Sequence, residues 1–292
     1  MKALVETTHI SLKNILYATD FSETAEAALP YVSAIATKYA SKVFAVYVKP
    51  PDSYSMVPPE GWLAYSQSSE GQITKEAASL DERLGGIPHE ILIGEGDTWT
   101  LVSKVVREHD IDLLVMGTHG RTGIEKLMLG SVAEMIFRQA TCPVLTVGPQ
   151  ASEHSNLHVG LRKLLYATDF SPEALAAAPF TISFAQTHQA HLTLLNVMKA
   201  SETADTSESV QRMLLRALVP EDVHFASPPN FLIRHGEVAD KILEVAKEIR
   251  ADLIVLGVRG AQGRIGIATH LARPTAHKVL IQAPCPVLTV RG

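Results

Sequence analysis

The sequence predicts two tandem α/β domains, each built on a parallel sheet covered by helices. The first observation is a duplication: ILYATDFS at 15–22 returns as LLYATDFS at 164–171, and CPVLTV at 142–147 returns unchanged at 285–290. The second is that short apolar runs alternate with longer amphipathic runs inside each copy, which is typical of βαβ units. Because the repeat period is on the order of 140 residues, it indicates a duplicated domain and not a solenoid.

Five strands are predicted in each copy. The continuous apolar run at 113–116 is typical of a strand buried on both faces, whereas the apolar spacing in 101–106 favours one face of a helix. In the first copy the predicted strands lie near 13–19, 42–49, 88–93, 111–116 and 143–147, and the predicted helices near 23–40, 69–85, 98–109 and 131–140. In the second copy the predicted strands lie near 162–168, 191–197, 230–234, 252–256 and 286–290, with helices between them.

Two segments fall outside this alternation. The stretch 149–160 is polar and lacks apolar periodicity, so we place the domain boundary there, with a first domain at 1–150 and a second at 151–292. The stretch 50–68 holds four prolines and three aromatic residues, which predicts an irregular loop. Such a loop could be a lid over a ligand, a contact to another chain or packed filler.

The composition argues against several classes of protein. The formal net charge is −5 and the pI is near 6.2, so the chain has no basic footprint for nucleic acid or for a membrane surface. Cys142 and Cys285 both precede proline in CPVLTV, form neither a disulfide framework nor a zinc pattern, and are expected to be buried. We find no signal peptide and no long apolar span, so the sequence predicts a cytoplasmic protein.

The stretch 115–134 has the glycine spacing of an anion cradle. Its skeleton is Gly-x2-Gly-x9-Gly-Ser, with the glycines at 117, 120 and 130. Glycine allows close backbone approach, and the helix predicted from 131 presents unpaired N–H donors at the positive end of its dipole. The run SVAE at 131–134 also has the form of a capping box, which would exist with or without a ligand. The pattern is neither a Walker A loop nor the dinucleotide Gly-x-Gly-x2-Gly.

An aspartate closes the first strand of each copy. Asp20 and Asp169 precede Phe-Ser, and Ser22 and Ser171 are candidate helix N-caps. Ligands of open parallel sheets bind beyond the carboxyl ends of strands where the strand order reverses, so Asp20 could hydrogen-bond a ribose or a base edge. The alternative is that Asp20 only organises the turn. His119 could contact phosphate, but the sequence offers it no partner acid or nucleophile, and we assign no catalytic residue.

The chain resembles the universal stress protein family in three segments taken in order, ILYATDFS, GTHGRTGIEKLMLGS and CPVLTV. The resemblance covers nearly the whole chain in a tandem two-domain form. It implies flavodoxin/Rossmann-like domains of the adenine nucleotide alpha hydrolase-like type, each a five-stranded parallel sheet of order 3-2-1-4-5. It also implies that the last strands pair the two domains into an intramolecular pseudo-dimer, and it leaves open whether two chains form a homodimer.

The resemblance further implies an adenine nucleotide, ATP or AMP, at the carboxyl ends of strands 1 and 4, where ADP would also fit. By position, Asp20 would face the nucleoside and the backbone of Val48 would face adenine. The ribose and phosphates would be lined by Gly117, His119, Gly120, Gly130, Ser131 and Val132. Mg²⁺ or Mn²⁺ could accompany the phosphates, and because such ions need few protein ligands we assign no metal-ligating residue.

The second copy departs from the cradle pattern. It keeps the aspartate and the first two loop glycines, but its loop is three residues longer. Counted back from CPVLTV, Arg273 and Pro274 replace the Gly-Ser pair; counted forward, His270 and Leu271 replace it. Proline lacks the N–H that would face phosphate, and arginine fits a positive φ less well than glycine. Either count predicts a degenerate second site, which leaves this domain as a pairing partner or as a holder of a different anion.

The sequence therefore predicts an ATP-binding stress-response regulator or sensor whose first domain holds the nucleotide. Two alternatives stay open. One is a nucleotide-independent scaffold or chaperone-like interaction protein, and the other is a slow ATPase or phosphotransfer enzyme. Weak ATP hydrolysis is the most that the resemblance implies.

Overall fold

The computed structural model describes residues 10–49, 62–118, 129–152, 160–198, 205–259 and 274–292. The described part of the first copy consists of β1 (Asn14–Ala18), α1 (Glu23–Glu26), α2 (Leu29–Tyr39), β2 (Lys42–Lys49), α3 (Trp62–Arg83), β3 (His89–Glu95), α4 (Thr98–Glu108), β4 (Leu113–Gly117), α5 (Ser131–Gln139), β5 (Val144–Val147) and α6 (Pro149–Ser152). That of the second copy consists of β6 (Lys163–Ala167), α7 (Pro172–Ala176), α8 (Ala178–Thr187), β7 (His191–Met198), α9 (Asp205–Ala217), β8 (Asn230–His235), α10 (Val238–Ile249), β9 (Leu253–Val258), α11 (Pro274–Gln282) and β10 (Val287–Arg291).

All of these strands belong to one ten-stranded sheet of order β3-β2-β1-β4-β5-β10-β9-β6-β7-β8. Within each copy the neighbouring strands are parallel, and each copy has the order 3-2-1-4-5 that the family resemblance implies. The two halves meet where β5 and β10 pair in antiparallel fashion, so the last strand of each copy joins the domains.

The junction between the domains has a pseudo-twofold relationship at residue level. Leu145 pairs with Leu288, and these two leucines hold the same place in the repeated CPVLTV segment. Both are fully buried. A self-complementary pairing of this kind is what a twofold interface requires, and here it lies inside one chain.

Two hydrophobic cores cover the two faces of the sheet, and each contains residues of both domains. Along β1 the side chains alternate between them: Ile15 and Tyr17 belong to one core and Leu16 to the other. Leu145 and Leu288 both belong to the first core, so it continues across the domain junction. Strands buried on both faces explain why the sequence shows continuous apolar runs.

The helix predicted at 23–40 is two helices in the structure. The chain leaves α1 after Glu26 and re-enters a helix at Leu29, with Pro30 in the first turn of α2. Proline has no N–H, and its ring would clash with the carbonyl four residues earlier in a continuous helix. Pro179 occupies the first turn of α8 in the same way, so the break recurs in the second copy.

Two further predictions change at element boundaries. The stretch 50–68 was predicted to be irregular, but α3 begins at Trp62; residues 50–61 lie outside the described part of the chain. The polar stretch 149–160 begins with the short helix α6, in which Ala151 is buried. A segment rich in proline or polar residues is recognisable from its composition. Composition alone does not show whether those residues precede a helix or interrupt one.

Candidate functional site

Asp20, Val48 and Gly117 lie together at the carboxyl edge of the first sheet half. Strand β1 lies between β2 and β4, and Ala18 pairs with Val46 on one side and with Met116 on the other. Asp20 and Val48 are therefore each two residues beyond the last β1–β2 pair, and Gly117 is one residue beyond the last β1–β4 pair. The chain runs from β1 to one side of the sheet and returns to the other, which makes this edge a topological switch point.

A network of three hydrogen bonds builds the turn at Asp20. The N–H of Phe21 donates to Thr19 Oγ1 at 3.0 Å, and the N–H of Ser22 donates to Asp20 Oδ1 at 3.0 Å. The N–H of Ala25 donates to Ser22 Oγ at 3.3 Å. Phe21 adopts φ 59°, in the left-handed region. Ser22 is the N-cap of α1, as predicted.

The second copy builds the same turn. Ser171 donates from its N–H to Asp169 Oδ1 at 3.0 Å, and Phe170 adopts φ 60°. Asp20 therefore has a structural role that does not depend on a ligand. The turn-organising contact that the sequence offered as the alternative role of Asp20 is therefore present, and the ligand role stays a proposal.

Gly117 is required by backbone packing. A Cβ atom at this position would lie 2.6 Å from the carbonyl oxygen of Thr24 in α1, and one at Gly257 would lie 2.1 Å from that of Glu173 in α7. At these distances the Cβ and the backbone oxygen would overlap sterically. Because the interior is close-packed, neither atom could move away freely. The sequence pattern attributes this glycine to a ligand, but the contact that excludes a side chain comes from the protein itself.

The start of α5 is held against the end of β4. The N–H of Gly130 donates to the carbonyl oxygen of Thr118 at 2.9 Å, and the N–H of Thr118 donates to that of Val147 at 3.0 Å. Thr118 is fully buried, and the sequence pattern did not single it out. The contact places the start of α5 beside the residue that follows Gly117. His119 and Gly120 lie outside the described residues.

The prediction that Ser131 caps its helix through a capping box is wrong. Ser131 is the first helical residue, Gly130 is the N-cap, and no side chain caps this end of α5. Glu134 donates its N–H to Gly130 at 2.8 Å, while its carboxylate pairs with Arg138 at 2.6 Å instead of turning back. Without a side-chain cap, the first N–H groups of α5 have no partner within the helix and point outward at its positive end.

The side chains at this helix start are accessible. Ser131 is exposed, and Val132 is 42% exposed although it is apolar. Gly130 has φ −58° and ψ 150°, so it does not use the left-handed region. Arginine could adopt this φ as readily as glycine, so the prediction that a positive φ disfavours arginine here is wrong.

The second copy resolves the two possible alignments. Helix α11 begins at Pro274 and α5 begins at Ser131, each helix has nine residues, and each start lies equally far from its CPVLTV segment. The count from the carboxyl end is therefore the correct one, and Pro274 is the equivalent of Ser131. Proline is common at the first helical position, where its missing N–H costs the helix nothing, but one donor is lost.

Within the described residues, no cluster of histidine, cysteine or acidic side chains could hold a metal ion. Nor is any helix in the described part of the chain long and apolar enough to span a membrane. Both cysteines are free and buried, as expected.

Fold and site together define a tandem, doubly wound α/β protein with an uncapped helix start at its switch point. The family model described as Universal stress protein family matches residues 11–148 and 160–291. The chain belongs to the universal stress protein family, with two tandem domains of that family.

Similar proteins agree with this assignment. One universal stress protein of Methanocaldococcus jannaschii is 30% identical over 165 residues, covering 47% of this chain and 96% of the relative. A second from the same organism is 34% identical over 139 residues, covering 46% and 81%. The crystal structure of a universal stress protein from Archaeoglobus fulgidus DSM 4304 covers 97% of this chain and 99% of that chain with a TM-score of 0.72 at 21% identity, a likeness of fold.

Proposed function

We propose that the first domain, residues 1–150, binds an adenine nucleotide, with ATP as the ligand, and that the chain acts as a nucleotide-dependent regulator or sensor in a stress response. The second domain, residues 151–292, is its pairing partner and has a degenerate site. The observation that carries the proposal is the uncapped start of α5, tied by the Gly130–Thr118 hydrogen bond to the edge where Asp20 lies. Helix starts of this kind favour phosphate groups.

Each residue then has a defined task. The N–H groups of Ser131 and Val132 face the phosphates, and the backbone of Val48 faces the adenine. The loop residues His119 and Gly120 complete the phosphate site in this proposal. Asp20 meets the ribose through its carboxylate in this proposal.

A divalent ion, Mg²⁺ or Mn²⁺, accompanies the phosphates in this proposal. Such an ion takes most of its ligands from phosphate oxygens and water. ATP affinity should therefore fall when EDTA removes the ion, and it should recover when either ion is restored. Affinity that does not respond to EDTA would remove the ion from the proposal and leave the nucleotide site in place.

The decisive variant transfers the second copy's sequence into the first site. The double change Gly130→Arg with Ser131→Pro should leave the fold intact, because ψ 150° at Gly130 suits a residue before proline and proline suits the first helical position. We expect calorimetry to show an ATP affinity at least about 10-fold weaker, since each charge-assisted hydrogen bond is worth about 1.5–3 kcal/mol.

A matched variant separates the backbone from the side chain. Ser131→Ala keeps the N–H and removes only the hydroxyl, whereas Ser131→Pro removes the N–H. If the backbone donor matters, Ser131→Pro should weaken ATP binding more than Ser131→Ala. Unchanged ATP affinity in the Gly130→Arg, Ser131→Pro chain, with an unchanged melting temperature, would refute the assignment of the site.

A further inference from the structure

The two copies carry different residues at one position beside the site. Thr24 and Glu173 are equivalent in the duplicated segments SETA and SPEA at 22–25 and 171–174. They are also equivalent in space, because a Cβ at the strand-end glycine of each copy would meet the backbone oxygen of Thr24 in one case and of Glu173 in the other. The first copy therefore has a neutral hydroxyl where the second has a carboxylate.

In the first copy this side chain is neutral and contacts its own helix start. Thr24 Oγ1 lies 3.1 Å from Ser22 Oγ, the N-cap of α1. The contact places a small neutral group at the end of β4 and adds no charge to the edge where Gly117 and Gly130 meet.

In the second copy the side chain reaches the loop that follows β9. Glu173 Oε1 lies 3.3 Å from Nε of Arg259, whose side chain is 78% exposed, while that of Glu173 is only 22% exposed. Arg259 is the equivalent of His119 in the aligned segments VMGTHG and VLGVRG. The carboxylate of Glu173 therefore lies where the second copy's loop leaves the end of β9. Glu173 Oε2 is buried and has no hydrogen-bond partner among the described residues.

We infer that the residue at this position is a second control on which domain accepts a phosphate chain, and that Glu173 would exclude nucleotide from the second domain even with the Gly-Ser pair restored. A phosphate that drew Arg259 away would leave the mostly buried carboxylate of Glu173 unpaired beside it, and two like charges shielded from water repel more strongly than in bulk solvent. It also neutralises Arg259, the cation that the second loop would otherwise offer to an anion. The inference rests on the proposed nucleotide site of the first domain and extends it to why the chain has one such site.

The main test places the carboxylate in the first domain of the full-length chain. Thr24→Glu is compared with Thr24→Gln, which has nearly the same shape and no charge, and ATP binding is measured by calorimetry on proteins with matched melting temperatures. We expect Thr24→Glu to bind ATP at least about 10-fold more weakly than Thr24→Gln. Equal affinities for the two variants would overturn the inference.

A reciprocal test keeps the inference falsifiable if Thr24→Glu fails to fold. Arg273→Gly with Pro274→Ser is prepared in the second domain with and without Glu173→Gln, and the number of ATP molecules bound per chain is counted by native mass spectrometry. We expect one ATP without Glu173→Gln and two with it. The same number in both chains would overturn the inference.

The proposed function and this inference fail in different ways. A wild-type chain that binds no ATP overturns the proposed function, and the inference with it. A wild-type chain that binds one ATP, together with Thr24→Glu and Thr24→Gln variants of equal affinity, overturns the inference alone.

Discussion

Tyr39 and His188 hold equivalent positions in the two copies, and their ring centroids lie 6.0 Å apart. Tyr39 ends α2 and His188 follows α8, so the two helices meet across the same pseudo-twofold relationship that pairs Leu145 with Leu288. Phe184 contacts both rings, at 5.7 Å from Tyr39 and 5.6 Å from His188. His188 Nε2 is buried without a hydrogen-bond partner among the described residues.

This contact should make the stability of the protein depend on pH. Burial, together with the smaller effect of the nearby Lys38 charge, lowers the pKa of His188 to about 4. Between pH 6.5 and pH 4 the unfolded chain binds the His188 proton more readily than the folded chain, so the free energy of unfolding falls as the pH falls through this window and levels off below it. We expect a loss on the order of 2 kcal/mol from this group.

Urea denaturation at several pH values measures this loss. Carboxylates also titrate near pH 4, so the comparison is between wild type and His188→Gln, which has no titrating ring. The variant should lose less stability between pH 7 and pH 4.5. Parallel pH profiles for the two proteins would exclude His188 as the cause.

Both thiols should be unreactive in the folded protein. Burial raises the pKa of Cys142 to about 11 and raises that of Cys285 as well. Only the thiolate attacks a disulfide reagent, so labelling with Ellman's reagent at pH 7 should be slower by a factor on the order of 100 or more than in the unfolded chain. Two thiols should react in denaturant, and rapid labelling of one thiol without denaturant would contradict the burial of that residue.

Gly117→Ala should destabilise the fold whether or not nucleotide is present. The added methyl group would meet the carbonyl oxygen of Thr24, and overpacking of this kind costs about 1–3 kcal/mol. Gly257→Ala should cost more, because its nearest atom is closer. The control is Gly71→Ala in α3, which meets nothing within 4 Å and should stabilise the protein by about 0.5–1 kcal/mol. Equal free energies of unfolding for all three variants would contradict the packing role.

Asp20→Ala and Asp169→Ala distinguish the contribution of the aspartate to the stability of the turn from its contribution to ATP binding. Each removes the acceptor for one N–H, of Ser22 or of Ser171, and each should cost about 1 kcal/mol of stability. Only Asp20→Ala should also weaken ATP binding. The matched copy supplies the control within the same chain, and an equal ATP affinity for both variants would leave Asp20 with its structural role alone.

The two leucines at the domain junction should be energetically coupled. Leu145→Ala and Leu288→Ala should each cost about 2–5 kcal/mol, because both side chains are fully buried. Since they pair directly, the double variant should differ from the sum of the single variants by about 0.5 kcal/mol or more. Urea denaturation of the wild type, the two single variants and the double variant gives the free energies of this double-mutant cycle. Losses of stability that add strictly would show that the two leucines do not pack as one unit.

The sequence by itself determined the duplication and the positions of the strands. Repeated segments and continuous apolar runs are local signals, and the apolar runs arise because the central strands are buried on both faces, whereas the edge strands β3 and β8 are only partly buried. The strand order was predicted from the family resemblance and not from the residues. Element ends were less accurate: Pro30 divides the helix predicted at 23–40, and Ser131 begins its helix instead of capping it.

Only the tertiary structure decided what the glycines and acidic residues beside the candidate site contact. Gly117 reads as a ligand position in the sequence, but its missing side chain makes room for Thr24 in α1. The ion pair between Glu173 and Arg259 joins residues far apart in the chain, and no local sequence pattern predicts it. The physical reason is the same in both cases: periodicity and capping signals report on neighbours in sequence, whereas steric exclusion and charge pairing depend on which distant segments the fold brings together.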